Sequence, residues 1–231
     1  MSQGEKANAE RKTARTTSVI FTFLALLLLF LGATTKYSPL YYVAFLLFIF
    51  TGLALVSGAR TWSIGAQGEE TVAHYLSFLD APYRVIHDII LPEMRGNIDH
   101  VVLGPNGVFA IETKNHKGFI TCNGDSWLQH KVGQGGTPYL GNIGCPSKQV
   151  KRYAILLKNI IQDKLNINLY VNGILVFTNR EAKLRMNNPT VIILKPNQLC
   201  NFIKTHQSEA ALSEEELAEL EALIRPHSQF H

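Results

Sequence analysis

Three charged residues near the middle of the chain, Asp99, Glu112 and Lys114, have the types and the spacing of a divalent-cation site. Asp99 lies in an apolar run, Ile98–Leu103, and the other two lie in a second run, Val108–Asn115. Both runs are rich in β-branched residues, as strands are. Carboxylate oxygens are ligands that hard divalent cations prefer, so two carboxylates brought together beside an ammonium could bind such a cation.

The segment between the two runs predicts that they pair as a β-hairpin. It contains Asn106-Gly107, and Asn-Gly favours the positive φ that tight turns between strands require. Alternate side chains of a strand point to the same face, so Glu112 and Lys114 share one side of the second strand. Antiparallel pairing would place Asp99 next to them. The alternative is an exposed hairpin whose Asp–Lys pair contributes less than about 1 kcal/mol.

The hairpin resembles a known family. An Asp on one strand followed by Glu-x-Lys on the next resembles the PD-(D/E)xK nuclease core. The longer sequence, IDHVV at 98–102, GVFAIETKN at 107–115 and then Gly118, resembles the nuclease-related domain called NERD. The resemblance covers residues 62–225. It implies an α/β fold, with a restriction-endonuclease-like mixed sheet flanked by helices, and hydrolysis of phosphodiester bonds.

A helix before the hairpin offers a third carboxylate. Glu69, Val72 and Leu76 fall on one helical face, which places Glu69 at the edge of a buried stripe. A carboxylate there is costly unless it is paired or metal-bound. NERD-type sequences open with a Gly-x-x-Gly-Glu helix, here 65–69, and the resemblance makes its Glu a metal ligand. The alternative is a helix-start Glu favoured by the helix dipole.

A helix after the hairpin offers a polar neutral residue. In the family this helix begins with an Asn-Pro-x-x-Gln-like segment whose Gln faces the site. Here Pro146 and Gln149 are kept, but Cys145 stands where Asn is usual. A solvated Gln149 is therefore the alternative.

The resemblance implies a role for each of these residues. Asp99, Glu112 and Glu69, with the backbone carbonyl of Thr113, would hold Mg²⁺ (or Mn²⁺), and Gln149 would be a further catalytic residue. The cation would polarise the phosphate and acidify a bound water. Lys114 would orient or deprotonate that water, or stabilise the pentacoordinate charge. Nearby carboxylates favour its charged form, so we expect the electrostatic role.

The N-terminal quarter has a different composition from the rest. Lys36 is the only Lys, Arg, Asp or Glu between residues 18 and 57, and the runs 18–35 and 40–59 each approach the roughly 20 residues that cross a bilayer. We therefore predict two transmembrane helices between a polar segment, 1–17, and the nuclease-like domain, 60–231. Flanking basic residues place both ends in the cytoplasm, at the inner membrane. A cleaved signal peptide is the rival interpretation of the first run.

Charge and cysteine content restrict the partners. Residues 60–204 carry 16 Lys and Arg against 10 Asp and Glu, and the tail from 205 is acidic. A basic body suits a polyanion on one face, and ordinary solvated surface charge is the alternative. The nuclease hypothesis makes the expected polyanion a nucleic acid, with DNA preferred over RNA. The three cysteines lack metal-type spacing and argue against a disulfide framework. A homodimer, a non-catalytic nucleic-acid-binding tether and a protein-binding scaffold that uses the acidic C-terminal helix stay open.

The remaining pattern predicts the other elements in outline. After a strand at 81–92 and the hairpin, a strand over 118–122 precedes a loop that starts at Trp127 and is glycine-rich over 133–144. The rest reads as the helix 147–165, the strands 170–178 and 190–194, and the helices 196–205 and 213–224.

Overall fold

A computed structural model of the protein describes residues 20, 22–31, 33–34, 39–92, 96–133, 135–207 and 211–229. The chain divides into two compact units, Met1–Ile64 and Gly65–His231. The elements in chain order are helix α1 (Pro39–Leu76), strands β1 (Arg84–Ile89), β2 (Ile98–Gly104), β3 (Gly107–Lys114), β4 (Gly118–Asn123), β5 (Ser126–Val132) and β6 (Pro138–Gly141), helix α2 (Pro146–Leu165), strands β7 (Val171–Phe177), β8 (Ala182–Asn187) and β9 (Ile192–Leu194), helices α3 (Pro196–Thr205) and α4 (Glu214–Ile224), and a 3₁₀ turn (Arg225–His227).

The first unit is helical over residues 22–31 and from Pro39 onward. Among the residues that the structure describes, no helix is long and apolar enough to cross a bilayer. The two predicted transmembrane helices, 18–35 and 40–59, are therefore not supported, and positions in both lie outside the residues whose side chains are described.

Helix α1 differs from the prediction in its continuity. The sequence predicted one helix that ends at residue 59 and a new helix that opens at Gly65, but α1 runs without a break from Pro39 to Leu76. A glycine inside a helix costs only about 1 kcal/mol relative to alanine, which the hydrogen bonds of a long helix can offset.

A five-stranded mixed sheet, in the order β1-β2-β3-β7-β9, forms the centre of the second unit. The predicted hairpin is confirmed: β2 and β3 are antiparallel, with His100 opposite Ile111 and Gly104 opposite Gly107. On its other side β3 pairs in parallel with β7, so it lies in the middle of the sheet. Every residue of β3 except Lys114 is buried.

A second sheet, in the order β6-β5-β4-β8, follows the first along the chain. Strand β4 was predicted, but β5 and β6 occupy a stretch that we interpreted as a loop, so that interpretation was wrong. Strand β8 was also missed, because it lies between the predicted strands 170–178 and 190–194, where only a short loop was expected. The register shows the cause: β5 alternates buried Trp127 and Gln129 with exposed residues, and this two-residue period is short and mixed in polarity. Mixed α/β architecture with two sheets flanked by helices fits the expected nuclease-like class.

Helices cover both faces of the central sheet. Helices α2 and α4 pack on one face, where Tyr153, Leu157 and Ile161 join the apolar side chains of β2 and β3. Helices α1 and α3 cover the other face through Val72, Leu76 and residues of α3. Each sheet side chain therefore faces one of two helix pairs, according to its parity along the strand.

Substitutions on α2 test this packing. Leu157→Ala should lower the free energy of unfolding by about 2–5 kcal/mol, because Leu157 is fully buried and its loss leaves a cavity. Ile155→Ala on the same helix is the matched control, since Ile155 is 60% exposed and should change stability by less than about 0.5 kcal/mol. Urea titrations followed by tryptophan fluorescence measure both. Equal losses would contradict the assignment of the buried face.

Candidate active site

Asp99 and Glu112 lie side by side where the β2–β3 hairpin leaves the ladder. His100 and Ile111 are the last paired residues, so the two carboxyl residues form the next opposed positions. Residues opposite one another in an antiparallel ladder point to the same face of the sheet. Asp99 is only 8% exposed and Glu112 only 3% exposed. The hairpin therefore holds two acidic side chains in one buried place.

Asp99 is held by the backbone of the neighbouring strand. The Thr113 N–H donates a hydrogen bond of 2.7 Å to Oδ2 of Asp99. Burial raises the pKa of Asp99 well above its usual range, and the charges of Glu112 and then Glu69 raise it further. The hydrogen bond and the Lys114 ammonium oppose this rise without cancelling it. A cation beside this carboxyl group would lower its pKa again and favour the ionised form.

Lys114 supplies one positive charge. Its Nζ donates to Oε1 of Glu112 at 2.5 Å and to Oε1 of Gln149 at 3.2 Å, and Nε2 of Gln149 donates to the Tyr153 hydroxyl at 3.1 Å. Burial would lower the pKa of Lys114, but Glu112, together with Asp99 and Tyr153, outweighs burial and raises it. Lys114 is therefore an ammonium ion at neutral pH, as electrostatic stabilisation requires and general-base catalysis does not.

Glu112 has one oxygen without a partner. Its Oε1 binds Lys114, whereas Oε2 is buried with no hydrogen-bond donor among the described residues. Burial raises the pKa of Glu112, and Lys114 offsets part of that rise. A buried, unpaired carboxylate oxygen is costly, and a cation would remove that cost. This oxygen, together with the Asp99 carboxylate, fits a hard divalent cation.

The candidate cation site has two certain carboxylates rather than three. Among the described parts of the chain, no group of three His, Cys, Asp or Glu side chains is arranged to hold a metal ion. Glu69 is exposed on α1, but its charge contributes to the pKa of Asp99, so it lies within electrostatic range. The metal-ligand role of Glu69, like that of the Thr113 carbonyl, stays a prediction.

Gly68 explains how Glu69 comes near the sheet. A Cβ added at Gly68 would lie 3.0 Å from Cβ of Asn115 and 3.1 Å from Oγ1 of Thr178. These residues follow β3 and β7, so the missing side chain allows α1 to approach the strand ends closely. The sequence pattern predicted Gly68 only as part of a helix start, so this contact was not predicted.

Two more residues of α2 were missed. Tyr153 accepts the hydrogen bond from Gln149, and the charge of Arg152 lowers the pKa of Glu112. Tyr153 lies four residues after Gln149, which is one helical turn, so the spacing i, i+4 was the available signal. The structure thus brings together Asp99, Glu112, Lys114 and Gln149, whose catalytic roles stay predictions.

A histidine pair, with His100 buried and His87 half-buried, includes the residue that follows Asp99 in the sequence. Nδ1 of His87 and Nδ1 of His100 are 2.8 Å apart across β1 and β2. Burial, together with the neighbouring His87, lowers the pKa of His100 to about 3. His100 is therefore neutral at neutral pH and adds no positive charge next to Asp99.

The chain is similar to a known family over the residues that form this site. Residues 64–178 match the model of the nuclease-related domain, NERD. The chain therefore contains a nuclease-related domain, which includes Gly68, the β2–β3 hairpin and helix α2.

An uncharacterized protein of Bacillus anthracis is 42% identical to the chain over 60 residues, which is 24% of this chain and 28% of the relative. The chain thus covers less than a third of that relative. The search of solved structures gave no significant match.

A double-mutant cycle tests the buried ion pair. Lys114→Met should lower the free energy of unfolding by about 3 kcal/mol, because it leaves the Glu112 carboxylate buried without a counter-ion. Adding Glu112→Gln should recover much of that loss, since a neutral amide needs no counter-ion. Urea unfolding measures each variant. Lys164→Met, at an exposed position of α2, is the control. A double variant whose loss equals the sum of the single losses would contradict the pairing.

Proposed function

We propose that the nuclease-related domain is a metal-dependent nuclease that hydrolyses phosphodiester bonds in DNA. The supporting observation is the buried Glu112 carboxylate, which binds Lys114 through one oxygen, whereas its other oxygen has no donor among the residues that the structure describes. A site that only stabilised the fold would pair both oxygens, because an unpaired buried oxygen is destabilising. A cation bound at this oxygen would compensate the hydration that the oxygen loses on burial.

Each residue of the site has a separate role in the proposed hydrolysis. Asp99 and Glu112 would hold Mg²⁺ or Mn²⁺, and this cation, when bound, supplies charge neutralisation and a more acidic water. The Thr113 N–H keeps the Asp99 carboxylate oriented. The Lys114 ammonium can stabilise the extra negative charge that the phosphoryl group gains during attack. Gln149, itself bound to Tyr153, fixes Lys114 in position.

A non-catalytic module that binds nucleic acid is the second candidate. The excess of basic residues over 60–204 is the observation that favours it, because polyanion binding needs positive charge but no cation site. Salt-sensitive DNA binding without cleavage in Mg²⁺, Mn²⁺, Ca²⁺ or Zn²⁺ would select this candidate.

Plasmid nicking tests the nuclease proposal. The purified full chain should convert supercoiled DNA to the nicked form with Mg²⁺ or Mn²⁺, and EDTA should stop the reaction. Asp99→Asn should lower the rate at least about 100-fold, because it removes a negative ligand at nearly constant shape. The control is Asp163→Asn, an exposed acid-to-amide change on α2. Full activity in Asp99→Asn, or equal losses in both variants, would reject the site.

We also propose that the N-terminal unit anchors the domain to the inner membrane, with the domain on the cytoplasmic side. Support comes from the apolar composition of residues 18–57 and from the large side chains exposed there, such as Phe23, Phe45 and Leu46, which are 70%, 61% and 65% exposed. Apolar surface of this extent is unfavourable in water.

Cell fractionation tests the anchor. The full chain should sediment with membranes and resist extraction by alkaline carbonate. Carbonate releases proteins that are held at the membrane surface by electrostatic contacts, but it does not release apolar segments inserted into lipid. Protease added to spheroplasts should leave the C-terminal domain intact, whereas protease added after lysis should digest it. Recovery of the chain in the soluble fraction, or in the carbonate wash, would reject the anchor.

A further inference from the structure

The second sheet has one buried and one exposed face. In β4 and β5, Ile120, Cys122 and Trp127 point inward, where they pack with Phe177. Their neighbours point outward, and so do the alternate residues of β6 and β8. We call this exposed surface the outer face, and its members are Phe119, Leu128, His130, Leu140, Lys183 and Arg185.

Exposed aromatic and apolar side chains occupy the middle of the outer face. Phe119 is 39% exposed and is paired across the strands with His130, and their ring centroids are 5.1 Å apart. Leu140 lies opposite His130 on the far side and is 60% exposed. The two rings are inclined at 44° to each other, and exposed rings of this kind are unfavourable in water and offer faces on which planar groups can stack.

Positive charge lies beside these rings. Phe119 is opposite Lys183 and Thr121 is opposite Arg185 in the β4–β8 ladder, so both cations are one strand away from the aromatic pair. Adjacent strands are about 4.8 Å apart. Among the described residues, no carboxylate forms an ion pair with either cation.

Acidic residues are absent from the strands of this sheet. None of β4, β5, β6 and β8 contains Asp or Glu, whereas they contain two Lys and one Arg. Asp125, in the turn between β4 and β5, is already bound to Lys151 at 2.8 Å. The outer face therefore combines rings and cations without opposing charge, which complements a ligand that has planar groups on a polyanionic backbone.

We infer that the outer face binds single-stranded nucleic acid, with a base stacked on Phe119 and His130 and the backbone phosphates at Lys183 and Arg185. A duplex hides its base faces, so only unpaired bases can use an aromatic platform. The inference rests on the proposed function for the choice of nucleic acid, and it extends that proposal by assigning a single-stranded substrate or product strand to a surface outside the candidate active site.

Fluorescence anisotropy with a labelled oligothymidylate tests the inference, using the full chain in EDTA so that no cleavage occurs. Phe119→Ala should weaken binding about tenfold, because a stacking partner is lost, and Phe119→Trp should keep binding close to wild type. The control is Tyr170→Ala, which removes an aromatic ring that is 75% exposed outside this sheet.

The charged residues have a separate readout. Replacing both Lys183 and Arg185 with Ala should lower the slope of log affinity against log salt by about 1.4, as expected for two phosphate contacts on a single strand. Lys164→Ala, on α2, should leave that slope unchanged.

Several results would overturn the inference. The first is wild-type affinity in Phe119→Ala, and the second is duplex binding as tight as oligothymidylate binding. The third is a Phe119→Ala variant that keeps oligonucleotide binding but loses self-association, which would show a protein on this face, or loses binding to anionic lipid vesicles, which would show a membrane there.

The variant Asp99→Asn separates this inference from the nuclease proposal. It should bind oligothymidylate like wild type while it fails to cleave plasmid. Binding that depends on Phe119 in a chain without nuclease activity would support the outer face and reject the nuclease. Cleavage that is normal in the wild type, with no measurable single-strand binding in EDTA, would reject the outer face alone.

Discussion

The burial of two carboxyl groups in one place is the constraint on which the rest of the site depends. Asp99 and Glu112 would repel each other and lose hydration, so their environment must supply compensating groups. The chain supplies the Thr113 N–H to Asp99 and the Lys114 ammonium to one oxygen of Glu112. The second oxygen of Glu112 stays uncompensated by the described residues. A cation at this oxygen, as proposed above, would supply the missing compensation.

Strand β3 is the element that makes the arrangement rigid. It pairs with β2 on one side and β7 on the other, and both of its faces are covered by helices. Because side chains alternate along the strand, Glu112 and Lys114 point towards α2, where Lys114 donates a hydrogen bond to Gln149. The same alternation sends Thr113 towards α1, which meets it at Gly68. One strand therefore sets the positions of both helices relative to the acidic pair.

The second sheet has a different relation to solvent. The central sheet is buried on both sides, whereas the β6-β5-β4-β8 sheet packs one face on Phe177 and its neighbours and leaves the other in water. Its strands β4, β5 and β6 pair antiparallel, and antiparallel strands tolerate this arrangement, since polar and apolar residues can alternate. The exposed face nevertheless retains Phe119 and Leu128 where polar residues would be more soluble. These exposed positions distinguish the sheet from a purely structural cover.

The sequence alone determined the β2–β3 hairpin, the parity of Glu112 and Lys114, and the buried stripe of α2, because two-residue and helical periods are local properties. It did not determine β5 and β6, the continuity of α1 through its glycines, or the close approach at Gly68. Those features depend on which surfaces pack together. A glycine adds nothing to a polar or apolar period, and its role becomes visible only where a packed neighbour leaves no room for a side chain. The unpartnered oxygen of Glu112 is likewise a tertiary result, since a donor is present or absent only once distant segments have packed.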